Sequence, residues 1–570
     1  MELLDSRRLT GPNLLWDKPG STVDVACTDA EARTLLPVWE HYVSGIMENL
    51  GWVNESLTHL KLCGGISLGI SAPIDALYAA SAANELAWEC ARAELQETPG
   101  FNRSEHIHNG LVSLKAEIKN ESNPALIDLQ KASDEKGLPF LWDDDAVSIG
   151  LGGGSKTWSV DALPEIEALD WDSFRSIPVG TVTGTNGKTT TVRLAQHILM
   201  HAGLNVGLSS TDWISVNNEI LDYGDWSGPG GARQVLRNPT IDAAILETAR
   251  GGLLRRGLGA MRVDAAVITN LSEDHLGDFG SRNLEELLNI KWLTSRAVET
   301  DGALILNADD SLLVKKSEEF KGKIIWFSLD RDNPLVVRHV ANGGTALVLF
   351  GSILLRINAH GEEVICDSSE IPITMNGVAR HNIANALAAS ALAEQLGMSL
   401  EQIRSGLTTM SQDSNPGRCN LFSIRGVSVL VDFAHNPAAI QALFDMAEAL
   451  PAKRRLLAFS QPGDRPDKLI RQCARNATKI ELDRVIVSEL AAYHRGRKHG
   501  EVFAIIKDEL IEYGITESGI LHFEEEMESL EAALEWAESG DLVIMLALGG
   551  RDSVLEKLER ESCTESMAFR

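Results

Sequence analysis

Short apolar runs and helical patterns alternate through the middle of the chain. "IPVGTVT", "NVGLSS", "DAAILET", "DAAVITN" and "GALILNADD" read as strands. Their near-continuous apolar character suits a parallel sheet buried on both faces. Helical patterns lie between them, which predicts a doubly wound α/β domain. Around 324–370 the runs "KIIWFSL", "TALVLFG" and "SILLRINAHG" predict a small antiparallel patch, followed by the helix "HNIANALAASALAEQLG". The turn-forming stretch "SQDSNPGRCN" marks a boundary near 414, and "VSVLVDF", "RRLLAFS", "DRVIVSE", "LHFEEE" and "DLVIMLA" predict another α/β unit of Rossmann type.

The pattern is weakest before residue 160. Helical stretches such as "PIDALYAASAANELAWECARAEL" alternate with turns there. Gly150, Gly152, Gly153 and Gly154 suggest a phosphate loop, but the following "SKTWSVDALPE" is polar and contains Pro164, so a hairpin or linker fits better. The expected organisation is a mixed α+β N-terminal domain over 1–162, a P-loop doubly wound central domain over 163–413 and a Rossmann-like C-terminal domain over 414–570.

The 570 residues are too many for one core, which agrees with three units. A net charge of −29 argues against a nucleic-acid partner. Seven scattered cysteines, none in a C-x-x-C pair, point to a reducing compartment without structural zinc. "MELLDSRRLTG" lacks the apolar segment of a signal peptide. Pro73 and Asp75 interrupt the mildly apolar stretch near 62–83, so no membrane helix is expected. The expectation is a cytoplasmic protein with no nucleic-acid or membrane partner. Assembly into a homo-oligomer is left open.

The candidate chemistry begins at "VTGTNGKTTT". The common P-loop spacing would need a glycine where Val182 stands; the glycines are Gly184 and Gly187 instead. Strand, loop, lysine, hydroxyl and helix nevertheless follow in the order of a phosphate-binding loop. Gly184, Thr185, Asn186 and Gly187 would bring backbone N–H groups to phosphate oxygens, and the next helix adds its positive end. Lys188 supplies a charge for the β- and γ-phosphates, Thr189 a hydroxyl for Mg²⁺, and Thr190 continues the loop.

Two further strands end at residues suited to ligands. "AILETARGG" places Glu247 at a strand's C-terminal end as a hard-oxygen metal ligand. Arg250, Arg255 and Arg256 follow, either as a surface basic loop or as a carboxylate or phosphate site. "VITNLSEDHLGD" brings His275, with Asn270, Glu273 and Asp274, to the same edge. Lys291 shares the apolar stripe of Leu284, Leu287 and Leu288. It either snorkels from the stripe's edge or is converted by CO₂ to a carbamate that ligates a second Mg²⁺.

"GTNGKTTT", "LETARGG", "TNLSEDHLG", "NIKW", "RHNIANALAA", "NPGR" and "VDFAHNP", in this order, resemble the Mur ligase superfamily over roughly 170–570. Its members join an amino acid to a carboxylate at the expense of ATP, and the shortened loop is the family's own. "ETARGGLLRRGLG" and "RGRKHGE" resemble in particular the Mur-ligase-like half of cyanophycin synthetases, which adds arginine to aspartate side chains. The resemblance implies ATP and two Mg²⁺ sites. Lys188, Glu247, His275, carbamylated Lys291 and Arg418 would be catalytic; Thr189, Glu247, His275 and Lys291 would serve the metals. Asn382 would lie at the adenine, and Arg418 and Asp432 would reach the nucleotide from the C-terminal domain. Arg250 and Arg255 would face substrate. Arg495 and Arg497, with Lys498 and Glu501, are candidates for the incoming amino acid or else form a solvated helix start. Only about 160 residues precede the Mur-like part, too few for the ATP-grasp domain of cyanophycin synthetases, so one of their two activities is expected to be absent. The competing readings are a folylpolyglutamate-type or cell-wall-precursor ligase, and a nucleotide-binding regulator without turnover.

Overall fold

The computed structural model describes residues 1–274 and 283–568. Its N-terminal region contains a four-stranded antiparallel sheet in the order Glu2–Leu9, Gly20–Ala26, Gly65–Ser71, Leu57–Leu62. Helices Asp29–Leu50 and Leu77–Leu95 cover it, burying Trp39, Trp88, Leu68 and Ile70 in one core. Thr28 and Glu31 close the first helix with a reciprocal capping box. The glycine-rich run is a hairpin: Gly152–Gly154 form one 3₁₀ turn between the antiparallel strands Ala146–Ile149 and Lys156–Ser159.

The central sheet has eleven strands, in the order Glu219–Tyr223, Trp213–Val216, Val206–Ser209, Ala243–Glu247, Val179–Thr183, Val263–Ile268, Val298–Asn307, Lys323–Ser328, Thr345–Phe350, Ile353–Asn358, Gly361–Asp367. Neighbouring side chains on each inner strand go to opposite faces, as the pleat requires. Ile245 joins the core beneath helices Lys188–His201 and Arg380–Gln395; Leu246 joins the core beneath Pro229–Leu236, Arg250–Arg256 and Leu284–Trp292. Both faces are covered, which explains why these strands read as continuous apolar runs.

The antiparallel patch expected near 324–370 needs correction. Lys323–Ser328 and Thr345–Phe350 pair in parallel and continue the main ladder; antiparallel pairing begins only with Ile353–Asn358. Helix Pro334–Ala341 makes the crossover that a parallel pair requires.

Beyond 414 a six-stranded sheet runs Asn420–Ile424, Val427–Asp432, Leu542–Leu546, Arg455–Phe459, Arg484–Ser488, Ile520–Phe523, parallel except for its first strand. It is the Rossmann-like unit the sequence predicts. Among the described residues, no helix is long and apolar enough to cross a membrane.

Candidate active site

Strand Val179–Thr183 ends under helix Lys188–His201, and residues 184–187 turn the chain between them. Gly184 and Gly187 have φ of 148° and 84°. A Cβ on Gly184 would lie 1.9 Å from Thr269 Oγ1, and one on Gly187 2.2 Å from Asn385 Oδ1, so only glycine fits either place. Neighbouring strand ends pin the loop. Thr185 N donates to Asn270 O at 2.9 Å and Asn186 N to Asn270 Oδ1 at 3.0 Å, while Thr269 Oγ1 donates to Asn186 O at 2.6 Å. Gly187 caps the helix without any side-chain hydrogen bond, leaving first-turn amides for an anion. Lys188 Nζ folds back onto Thr185 O at 2.9 Å.

Thr189 Oγ1 donates to Glu247 Oε2 at 3.0 Å, and Thr211 Oγ1 donates to Glu247 Oε1 at 2.6 Å. Glu247 is buried at the end of its strand. The hydroxyl and carboxylate form an adjacent pair of hard oxygens. Among the described residues, no group of three or more His, Cys, Asp and Glu is arranged to hold a metal. A Mg²⁺ here would therefore be completed by phosphate and water, its usual manner of binding. His275 lies outside the described residues.

Lys291, on helix Leu284–Trp292, is 3 % exposed and donates to Gly184 O at 2.7 Å. Burial pushes its pKa well down, and Lys188 and Arg250 add to the effect against Asp274 and Glu247. The apolar stripe thus carries its lysine inward to the phosphate loop, not outward to solvent.

One cleft of about 1060 Å³ gathers these groups. It is lined by residues 184–190, Glu247, Asp274 and Lys291, by Arg250, Arg255 and Arg256 on one wall, and by Asn382, Arg418, Asp432 and Arg495 on the others. The arginine wall is braced by the N-terminal sheet: Arg7 Nε donates to Leu254 O at 3.1 Å, and Thr10 N to Arg256 O at 2.9 Å. Asn382 is buried, its amide donating to Ile373 O at 2.8 Å and its carbonyl accepting from Asn385 at 3.1 Å. Arg497 is not brought to the cleft. It braces the 463–467 loop, donating to Gly463 O at 2.7 Å and Arg465 O at 2.8 Å and pairing with Asp467 and Glu501. Lys498 and Glu501 lie outside the cleft lining with it.

The C-terminal region closes the cleft's far side. Asp432 ends strand Val427–Asp432 and accepts from Cys419 N at 2.8 Å and Ala434 N at 2.7 Å. The Arg418 guanidinium stacks 4.7 Å from the Phe433 ring centroid and stands 3.6 Å from Asp212. Several participants escaped the sequence reading. Asn436 bonds the phosphate loop directly, its Nδ2 donating to Asn186 Oδ1 at 2.8 Å. Arg465 pairs with Asp274 at 2.9 Å. In the sequence Asn436 signals only a helix start, since it precedes Pro437 and caps Ala439 N.

Sequence comparison fits this geometry. Residues 182–393 match the Mur ligase middle domain, and residues 417–549 match the Mur ligase glutamate ligase domain. The chain belongs to the Mur ligase superfamily. It is 37 % identical over 408 residues to the cyanophycin synthetase of Geminocystis herdmanii, a match covering 70 % of this chain and 46 % of that protein. It is 26 % identical over 402 residues to the UDP-N-acetylmuramoyl-L-alanyl-D-glutamate–2,6-diaminopimelate ligase of Geobacter sulfurreducens, covering 66 % of this chain and 74 % of that protein. The structure of E. coli FolC in complex with ADP aligns at 20 % identity and a TM-score of 0.48, covering 68 % of this chain and 90 % of that one. The match thus spans less than half the length of the cyanophycin synthetase.

Proposed function

We propose that this chain is an ATP-dependent, ADP-forming carboxylate–amine ligase of the cyanophycin-synthetase-like kind. The observation that carries the proposal is the meeting, in one cleft, of the glycine loop with Lys188, the Thr189–Glu247 oxygen pair and a C-terminal wall bearing Arg418 and Asp432. The glycine cradle and the uncapped helix end fit a polyphosphate.

In this reading Lys188 releases Thr185 O and meets the transferring phosphate. An oxygen of the acceptor carboxylate attacks the γ-phosphorus, the bond to ADP breaks, and an acyl-phosphate forms. The amine of the incoming amino acid then attacks the acyl carbon, inorganic phosphate leaves, and the amine gives up a proton. Lys188 and Arg418 neutralise oxygen charge that grows during transfer. Thr189 and Glu247 would hold one Mg²⁺, and His275 with a carbamylated Lys291 a second; bound metal would neutralise phosphate charge. Asn382 would face the adenine and Asp432 the ribose. Arg250 and Arg255 would receive the acceptor's carboxylates, and Arg495 the amino acid. Keeping water from the acyl-phosphate falls to the C-terminal wall, which Asn436 holds against the phosphate loop and Arg465 against Asp274.

The resemblance to the Mur-ligase-like half of cyanophycin synthetases makes arginine the first amino acid to test and an aspartyl peptide the first acceptor. The test measures phosphate release from ATP with amino acids crossed against carboxylate acceptors. Release that requires both partners supports the ligase. Tight ATP binding without release in any combination would leave a nucleotide-binding regulator instead.

A further inference from the structure

Behind the cleft lies a buried knot of charge that the proposed chemistry touches only through Arg418. Asp212 sits in the turn between strands Val206–Ser209 and Trp213–Val216. Three arginines converge on its carboxylate. Arg193 Nη2, from the phosphate-loop helix, is 2.5 Å away; Arg551 Nη1, from the C-terminal helix Arg551–Ala568, is also at 2.5 Å; Arg418 Nη2 is at 3.6 Å. Side-chain exposures are 7 % for Asp212, 2 % for Arg193, 15 % for Arg551 and 16 % for Arg418.

The knot also holds the crossing between the two α/β regions. Arg193 Nη1 donates to Asn415 Oδ1 at 3.1 Å, and Asn415 Nδ2 donates to Thr190 Oγ1 at 3.4 Å. Gly417 has φ 72°, and a Cβ there would lie 2.4 Å from Arg551 Cδ. The crossing segment therefore packs directly on the arginines.

The three cations are not equivalent. Arg193 is locked by Asp212, by Asn415 and by the Trp213 ring, whose centroid lies 4.0 Å from its guanidinium. Arg551 has Asp552 as a second carboxylate at 2.9 Å. Arg418 has the longest contact with Asp212 and is the one of the three that lines the cleft. A partly buried guanidinium needs a counter-charge, and a carboxylate shared among three arginines holds the most distant one least. A phosphate arriving in the cleft would offer Arg418 a bidentate partner of higher charge.

We infer that Asp212 is the resting counter-ion of Arg418 and, through Arg551, the latch between the central and C-terminal regions, so that nucleotide phosphate and Asp212 compete for one guanidinium. This rests on the ligase reading only in that the cleft takes a nucleotide. Competition fixes the sign of two opposite effects. Removing the charge of Asp212 frees Arg418 and should tighten nucleotide binding. Removing Arg551 leaves Asp212 a stronger partner for Arg418 and should weaken it. A purely structural role would weaken binding in both cases.

The test is calorimetric binding of ADP and of a non-hydrolysable ATP analogue to the full chain, with folding checked by circular dichroism. Asp212→Asn should lower the dissociation constant about three- to tenfold, a change of roughly 0.7–1.4 kcal/mol, and Arg418→Gln should abolish that gain. Arg551→Gln should raise the constant two- to threefold, and Asp212→Glu should stay close to wild type. Weaker binding by a folded Asp212→Asn, or tighter or unchanged binding by Arg551→Gln, overturns the inference while leaving the ligase reading intact. If Asp212→Asn does not fold, Arg551→Gln is compared in the presence and absence of Arg418→Gln: a loss that disappears once Arg418 is removed supports the competition for Asp212, and the same loss in both backgrounds overturns it. Wild-type protein that binds no nucleotide sinks both readings.

Discussion

Lys291 Nζ donates to the carbonyl of Gly184 at 2.7 Å, across 107 residues of sequence. A buried amine with a depressed pKa thereby sits on the first glycine of the phosphate loop. A neutral amine reacts with CO₂, and the carbamate it forms has the hard oxygens Mg²⁺ prefers. Lys291→Ala is therefore expected to lose most ligase activity, and acetate in the assay should restore part of it. Equal loss with and without acetate would assign Lys291 to holding the loop through Gly184.

The same burial has a signature in stability. The unfolded lysine keeps its proton up to its ordinary value near 10.5, whereas the folded one gives it up well below that. Between the two values the unfolded state binds more protons, so stability rises with pH. Lys291→Met should remove that slope. In CO₂-free buffer without Mg²⁺, the difference between wild type and Lys291→Met in urea unfolding should change in favour of wild type from pH 7 to pH 9. A pH-independent difference would show that Lys291 is not deprotonated by burial.

Lys188→Ala should leave the fold intact, since among the described residues the ammonium bonds only its own loop carbonyl, at 2.9 Å. Turnover should fall by about 10²-fold or more. Melting curves within a few degrees of wild type and single-turnover phosphate release check both halves of the expectation.

Glu247→Gln keeps the shape of the Thr189 contact but removes the charge at the proposed metal position. The Mg²⁺ concentration for half-maximal phosphate release should rise at least about tenfold, equivalent to roughly 1.4 kcal/mol. An unchanged Mg²⁺ titration would move the metal elsewhere.

Asp432→Ala and Arg418→Ala should each raise the KM for ATP. Asp432 should have the larger effect on local order, because it also accepts from Cys419 N and Ala434 N. ATP kinetics at wild-type values in both variants would show that the C-terminal region does not complete the site.

The phosphate loop, Glu247 and Lys291 were legible because each lies next to a strand end or on a helix stripe whose period shows in the sequence. Arg418 and Asp432 were legible only by family resemblance, since nothing in their spacing says that residues beyond 414 face the loop. Asp212 offered no signal. It is one acid in "STDWIS", and its close partners lie 19 and 339 residues away. Arg497 lies outside the cleft lining and braces a loop, and a basic run beside a helix start looks alike in sequence whether it binds substrate or braces a loop. The continuation of the central sheet through Lys323–Phe350 was hidden for a related reason: short apolar strands show burial but not the direction of pairing.

The eleven-stranded ladder has a mechanical consequence. With both faces packed by helices and its inner strands hydrogen-bonded in one continuous parallel ladder, the sheet is far stiffer than the single crossing at Asn415–Gly417 that joins it to the six-stranded unit. A change in the width of the cleft would then be carried by rotation about that crossing. One distance, between spin labels on exposed Val337 and exposed Ile511, would follow the whole motion, and its distribution would narrow as nucleotide is added.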